Sequence, residues 1–220
     1  MAKCKKIRRK QGTLKLFTGN LKIDKFIKNL LQSLNRYEVR LYISVTNYVE
    51  FHSDKSNGFF NDKPKEFAVS FGRPTTQWLC TLIHESCHFD QWRTNSKIWT
   101  TYRNAPNIFT GIQPHSKWSK KKLLKAMLAS RNLEWDCELR TMEKIRKYKL
   151  PISLTAYKKQ AASYVLFYEY MMIKKKWYKI GCEPYNIPEV YNYAVKLFKD
   201  LNKEFHLDKK MIQLYDKYCI

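Results

Sequence analysis

The spacing of apolar residues changes several times along the chain, and each change predicts a different element. Apolar side chains at helical spacing predict an amphipathic helix over about 22–35. Alternation with a period of two then predicts a half-buried strand over 39–46, and 48–52 and 66–71 are two further strand candidates. The turn-forming residues around Gly58 predict a loop between those two candidates.

The rest of the chain has a mainly helical pattern. One helix is predicted from about Thr75 to Trp92, and from about Ser119 onward everything is helical. The later helices are expected at 119–129, 130–148, 154–176, 188–204 and 207–217. We therefore expect an α+β fold, with a small sheet in the first half and a helical C-terminal half. The predicted organisation is a basic arm (1–20), a main domain (21–148) and a helical extension packed on it (149–220).

The composition of the chain favours a folded, non-membrane protein of a reducing compartment. Hydrophobic residues make up 44% of the chain, which predicts a folded protein, and no apolar run is long enough to span a membrane. The six cysteines include no Cys-x-x-Cys pair, and no apolar stretch follows the basic N-terminus. Both features favour a reducing, cytoplasmic location over secretion.

The formal net charge of +23 has two interpretations. It can serve solubility alone, or it can attract an anionic partner such as a nucleic acid or an acidic protein surface. Basic clusters occur at 3–10, 120–125 and 174–179. They are short, lie in different elements and are accompanied by no nucleic-acid-binding motif.

The run His84-Glu85-Ser86-Cys87-His88 carries the clearest chemistry. Positions i and i+4 of a helix lie on one face, so His84 and His88 can present two imidazoles to one metal ion. Glu85 is then placed to act as general base on a water activated by the metal. The alternative is a pair of histidines that merely cap or solvate a core helix, and the apolar flanks of the run favour the metal site.

A catalytic zinc usually takes three protein ligands. A metzincin would have a glycine at position 91 and its third histidine ligand at position 94. This chain has Gln91 and Thr94 there, so the metzincin class is excluded. The remaining histidine candidates are His115 and the distant His206.

A carboxylate from a second helix is the other source of a third ligand. Glu134 and Glu138 share a helix face, so one can bind the metal while the other orients a ligating histidine. An acid-rich helix can also be a solvated face paired with nearby Arg and Lys residues. The apolar residues among them (Leu133, Trp135, Cys137 and Leu139) favour the ligand interpretation. We predict that one of these two carboxylates binds the metal and that His115 does not.

Together, His84-Glu85-x-x-His88 and Glu134-x-x-x-Glu138 resemble the gluzincins, and most closely their short intracellular versions in tailed phages and bacteria. Over about 38–142, the resemblance implies a zincin-like fold, in which a small twisted sheet carries an edge strand beside the active-site helix and a second helix bears the Glu. It implies Zn²⁺ held by His84, His88 and Glu134, with Glu138 hydrogen-bonded to a ligating histidine and Glu85 as catalytic base.

The expected function is that of a zinc-dependent peptidase acting on a protein or peptide substrate in the cytoplasm, or in a host cytoplasm or virion if the chain is phage-encoded. The alternative is a catalytically silent zincin-fold virion or nucleic-acid-associated protein that acts through its basic surface. Gluzincins often add a group that stabilises the oxyanion, and the candidates here are His115, Tyr102, Tyr164 and Tyr168. Cys87 and Cys137 are expected to be small core residues.

Overall fold

The computed structural model of the chain describes residues 18–51, 54–197 and 205–220. The helices within these residues are α1 (Leu21–Arg36), α2 (Thr75–Arg93), α3 (Lys97–Arg103), α4 (Ile108–Gly111), α5 (Lys120–Tyr148), α6 (Leu154–Lys174), α7 (Pro188–Leu197) and α8 (Lys209–Tyr218), with a 3₁₀ turn at Pro184–Asn186. The strands are β1 (Arg40–Ser44), β2 (Val49–Phe51), β3 (Asp54–Ser56), β4 (Gly58–Asp62) and β5 (Lys65–Ser70). The fold is α+β with a helical C-terminal half, as the apolar pattern predicts. Most of the basic arm predicted over 1–20, and the end of the helix predicted over 188–204, lie outside the described residues.

The described chain divides into two compact units. The first combines the described part of Met1–Thr94 with Arg140–Ile152, and the second combines Asn95–Leu139 with Ser153–Ile220. Helix α5 contributes to both, since it continues without interruption through residue 139. The domain boundaries expected from the sequence at 20 and 148 stay a prediction.

The first unit is built on a three-stranded sheet in the order β1-β5-β4. Strand β1 runs parallel to β5, and β4 runs antiparallel to it as an outer strand. Helix α2 packs on β4 and β5. Helix α1 is capped by Asn20, whose side chain accepts hydrogen bonds from the Lys22 and Ile23 amides, and the helix buries its apolar face. The sheet thus supports one side of α2.

The loop predicted around Gly58 is wrong, because β3 and β4 form there. Strand β4 pairs with β5 from Gly58 opposite Val69 to Asp62 opposite Lys65. The preference of Ser, Asn and Gly for turns is weak compared with a ladder of hydrogen bonds to a buried neighbouring strand. Strand β5 is that neighbour, since Phe67, Ala68 and Val69 are buried.

The break expected near residue 129 is also wrong, because α5 is one helix of 29 residues. Ser130 and Asn132 are weak helix formers, and propensity alone favours an interruption there. Tertiary packing decides the matter instead. Ser130 and Arg131 are buried, and Arg131 donates from Nη1 to Oε1 of Glu169 at 2.7 Å.

The second unit has its own apolar core, which brings together α4, α5 and α6. Its buried members are Ile108, Ile112, Leu123, Ala126, Met127, Tyr168, Met171 and Met172. Beside it, Glu169 accepts hydrogen bonds from Arg131 and from Nδ1 of His206 at 2.8 Å, so that this buried carboxylate has charged and polar partners. Among the described residues, no helix combines the length and apolarity that crossing a bilayer requires.

Candidate metal centre on helix α2

Helix α2 carries the His-Glu-x-x-His motif, and its predicted position is confirmed within one residue. The helix starts after Pro74, which cannot continue a preceding helix and presets the turn. It has buried residues on most of its circumference, from Trp78 to Gln91. Several of them are polar, and burying a polar side chain costs free energy unless it finds a partner.

The two histidines converge at their Nε2 atoms, which lie 3.2 Å apart. Two Zn–N bonds at the tetrahedral angle would hold their nitrogen atoms about 3.3 Å apart. The observed spacing therefore fits a pair of imidazoles that share one tetrahedral ion. His88 is buried and His84 is half-buried, so the pair lies at the edge of the apolar interior.

Glu85 is buried, and its side chain lies beside strand β4. A Cβ atom added to Gly58 would lie only 3.3 Å from Cγ of Glu85 and 2.7 Å from Cγ2 of Thr81. The main chain of the outer strand therefore passes in close contact with the side chain predicted to be the catalytic base. Only a residue without a side chain permits this approach.

Gln91 is a site residue that the sequence reasoning missed. Its Oε1 lies 2.8 Å from Nδ1 of His88, and its side chain is fully buried. From the sequence, Gln91 is only the residue that excludes a metzincin site. The spacing of His84, His88 and Gln91, at intervals of four and three, puts all three on one helix stripe and was the available signal.

The other side of α2 is a structural contact with the last turns of α5. Lys144 Nζ donates to Oγ of Ser86 and pairs with a carboxylate oxygen of Asp90, each at 2.7 Å. Thr141 Oγ1 donates to Sγ of the buried Cys87 at 3.5 Å. Burial disfavours the charge of Asp90, but Lys144 and Arg93 outweigh it and lower the pKa of this carboxyl. These contacts account for an acidic residue at position 90 of a largely buried helix.

The two acidic residues predicted on α5 lie in the second unit and face tyrosines of α6. The hydroxyl of Tyr168 lies 3.5 Å from Oε1 of Glu134, and the hydroxyl of Tyr157 donates to Oε2 of the buried Glu138. Burial, and then the charge of Glu134, raise the pKa of Tyr168 well above its ordinary value. Tyr168 therefore stays a neutral hydrogen-bond donor to this carboxylate at neutral pH.

The remaining candidates of the second unit occupy different environments. His115 is exposed in the turn before α5. Tyr164 is half-buried, and its hydroxyl lies 3.3 Å from that of Tyr168. His206 binds Glu169, which occupies its Nδ1 atom. Cys137 is buried, as expected for a small core residue.

Comparisons with protein-family models, with curated proteins and with solved structures find no match for this chain. The resemblance to gluzincins therefore depends on the motif residues themselves and on the geometry around them.

Proposed function

We propose that this protein is a zinc-dependent peptidase with a zincin-like active site centred on α2. The observation that carries the proposal is the convergence of His84 and His88, whose Nε2 atoms lie 3.2 Å apart next to the buried Glu85. Imidazole nitrogen is a preferred ligand of zinc, and the adjacent carboxylate is the group that a hydrolytic zinc site needs.

The third ligand is proposed to come from α5. Thr141 contacts Cys87 on α2, and Glu138 and Glu134 precede Thr141 by three and seven residues on the same continuous helix. These intervals keep all three side chains on one helix stripe. A Glu134 ligand accords with its tyrosine neighbour, because the Tyr168 hydroxyl can hold one carboxylate oxygen and leave the other for the metal.

Cys137 is a second candidate for that ligand. By donor type alone, the thiolate of Cys137 could join His84 and His88 as a zinc ligand. A thiolate ligand would make a His₂Cys site, and catalytic zinc sites can combine Cys and His ligands. The sequence favours a core role for Cys137, so both residues belong in the test of the ligand set.

Glu85 is proposed as the catalytic base. When bound, zinc supplies a Lewis acid that acidifies water and polarises a peptide carbonyl. Glu85 would accept the proton of the attacking water and deliver it to the amine that leaves. Its close contact with β4 supports a peptide substrate, because an extended peptide can add to an outer strand of a sheet and so pass the base.

Metal content is the first experiment. Protein purified without chelator should hold about one zinc per chain, and His84→Ala and His88→Ala should lose it, because each removes a ligand that the remaining ones cannot replace. His115→Ala is the matched control, since it removes an exposed histidine of the same chain. Absence of zinc in the wild-type protein, even after reconstitution, would refute the proposal.

Hydrolysis is the second experiment. Glu85→Gln should keep zinc but abolish cleavage of an unfolded protein substrate, because the amide cannot accept a proton. Equal cleavage by the wild type and Glu85→Gln would show that the activity comes from a contaminant.

The third ligand is tested with Glu134→Ala and Cys137→Ser in parallel. We expect Glu134→Ala to weaken zinc binding strongly and Cys137→Ser to leave it nearly unchanged, because serine conserves the small buried side chain. The reverse result would replace the gluzincin ligand set with His₂Cys while leaving a zinc site.

A further inference from the structure

We infer that Gln91 is a positioning residue for the metal centre, which holds His88 in the tautomer that leaves its Nε2 lone pair for the ion. The inference rests on the proposed zinc site and adds to it a residue outside the His-Glu-x-x-His motif. The contact that carries it is the 2.8 Å separation between Oε1 of Gln91 and Nδ1 of His88.

A neutral imidazole carries one N–H and one lone pair, and its hydrogen bonds decide which nitrogen has which. With the amide oxygen of Gln91 facing Nδ1, the proton of His88 belongs on Nδ1 and is donated to Gln91. The Nε2 atom, which faces the Nε2 atom of His84 at 3.2 Å, is then free of a proton. This is the form of histidine that binds metal.

The burial of Gln91 makes the arrangement rigid. The side chain is 0% exposed, so its amide has no competing bulk water, and His88 is itself buried. Both residues belong to one helix, three positions apart, and their relative position is therefore fixed by the backbone of α2. The ring of His88 is held before any metal arrives, which lowers the cost of forming the site.

The choice of an amide over a carboxylate has an electrostatic reason. Ligating histidines often donate to a carboxylate, which raises the basicity of the ligand. Here Glu85 already places one buried negative charge beside the histidines, and Glu134 would bring another. A neutral acceptor at 91 orients the ring without adding a third charge to a buried site. A glutamate at 91 keeps the acceptor oxygen, and we expect its added charge to lower the stability of the zinc-free protein.

The test compares the wild type with Gln91→Met and Gln91→Glu. Methionine has a similar size but no acceptor, whereas glutamate restores an acceptor oxygen. Gln77→Met is the matched control, because Gln77 is exposed on the same helix. Two quantities are measured: the tautomer of His88 from the ¹⁵N chemical shifts of its ring in the zinc-free protein, and the zinc affinity by competition with a chelator at neutral pH.

We expect the Nδ1–H tautomer in the wild type and in Gln91→Glu, and a mixture in Gln91→Met. Zinc affinity should fall by about 10- to 100-fold in Gln91→Met and recover in Gln91→Glu, while Gln77→Met behaves as wild type. A purely structural role for Gln91 would lower the thermal stability without changing the tautomer.

An Nε2–H tautomer in the wild-type protein would overturn the inference, and this measurement needs no variant to fold. Unchanged affinity in a folded Gln91→Met would overturn it as well. If the wild type binds no zinc, the proposed function fails. The role of Gln91 is still tested in that case, because the tautomer of His88 is measured in the zinc-free protein.

Discussion

Substitution of Gly58 by alanine tests how closely strand β4 and helix α2 must approach. Gly58 lies outside the left-handed region of backbone conformation, so steric room alone is at issue. A new Cβ would meet Cγ2 of Thr81 at 2.7 Å and the carbonyl oxygen of Ala68 at 2.8 Å. Both separations are shorter than van der Waals contact. The carbonyl belongs to the backbone of β5 and cannot rotate away.

The expected size of the effect follows from two opposing terms. Overpacking costs about 1–3 kcal/mol, while replacing glycine stabilises by about 0.4–1 kcal/mol through the unfolded chain, so the net loss should be about 1–2 kcal/mol. For a chain of this length, that loss lowers the melting temperature by about 2–8 °C. The proposed hydrolysis should fall further than stability alone explains, because the new methyl group also lies 3.3 Å from Cγ of Glu85 and displaces the proposed base.

The assay is chemical denaturation of Gly58→Ala, Thr81→Ser and the double variant. Thr81→Ser removes the methyl group that the new Cβ meets but keeps the hydroxyl, which donates to the Gln77 carbonyl at 3.2 Å. The double variant should therefore be more stable than the sum of the single effects by at least ~0.5 kcal/mol. A Gly58→Ala protein as stable as the wild type would refute the close packing of β4 on α2.

Three further predictions concern charges. Asp90→Asn and Lys144→Met should each destabilise the fold. A double-mutant cycle should give a coupling energy of about 1 kcal/mol, because their 2.7 Å ion pair is only partly exposed. A coupling energy of zero would mean that water screens the pair. Tyr170 donates a hydrogen bond to Asp216 and, with Lys174, lowers the pKa of this carboxyl against a smaller opposing effect of burial. Asp216→Asn should therefore destabilise the protein near pH 7, and the difference from the wild type should disappear as the pH falls through the lowered pKa. A difference of equal size in acid would contradict this prediction. If the +23 charge serves nucleic-acid binding, affinity for duplex DNA should fall with salt at a log–log slope of about −0.9 per phosphate contact, and absence of binding at low salt would leave the charge to solubility.

The sequence predicts the elements that depend on local pattern. Helix α2 follows from Pro74 and the apolar residues between Trp78 and Phe89, and α1 follows from one apolar stripe, so both were placed within one or two residues. Strand β4 could not be predicted in this way. Its residues resemble a turn, and they become a strand only because β5, which is buried, offers them hydrogen-bonding partners.

The contacts of the candidate site also fall into two kinds: those that helix periodicity predicts and those that only tertiary structure creates. The pairing of His84 with His88 follows from helix periodicity alone, and so does the shared stripe that includes Gln91. The partner of Asp90 does not, because Lys144 is 54 positions away and comes close only through the packing of α5 on α2. The contact between Gly58 and Glu85 is likewise a product of tertiary structure.

The two polar faces of α2 differ in what their burial achieves. The hydroxyl of Ser86 donates to the Ile83 carbonyl and accepts from Lys144, so this face is satisfied by structure alone. The stripe with His84, His88 and Gln91 instead places two imidazole nitrogens next to each other, where apolar residues of similar size would pack without desolvating polar groups. Its polarity therefore has little to offer stability. Sequences most often depart from the rule that buried positions are apolar at functional sites, and on α2 this stripe is where the departure brings no gain in stability.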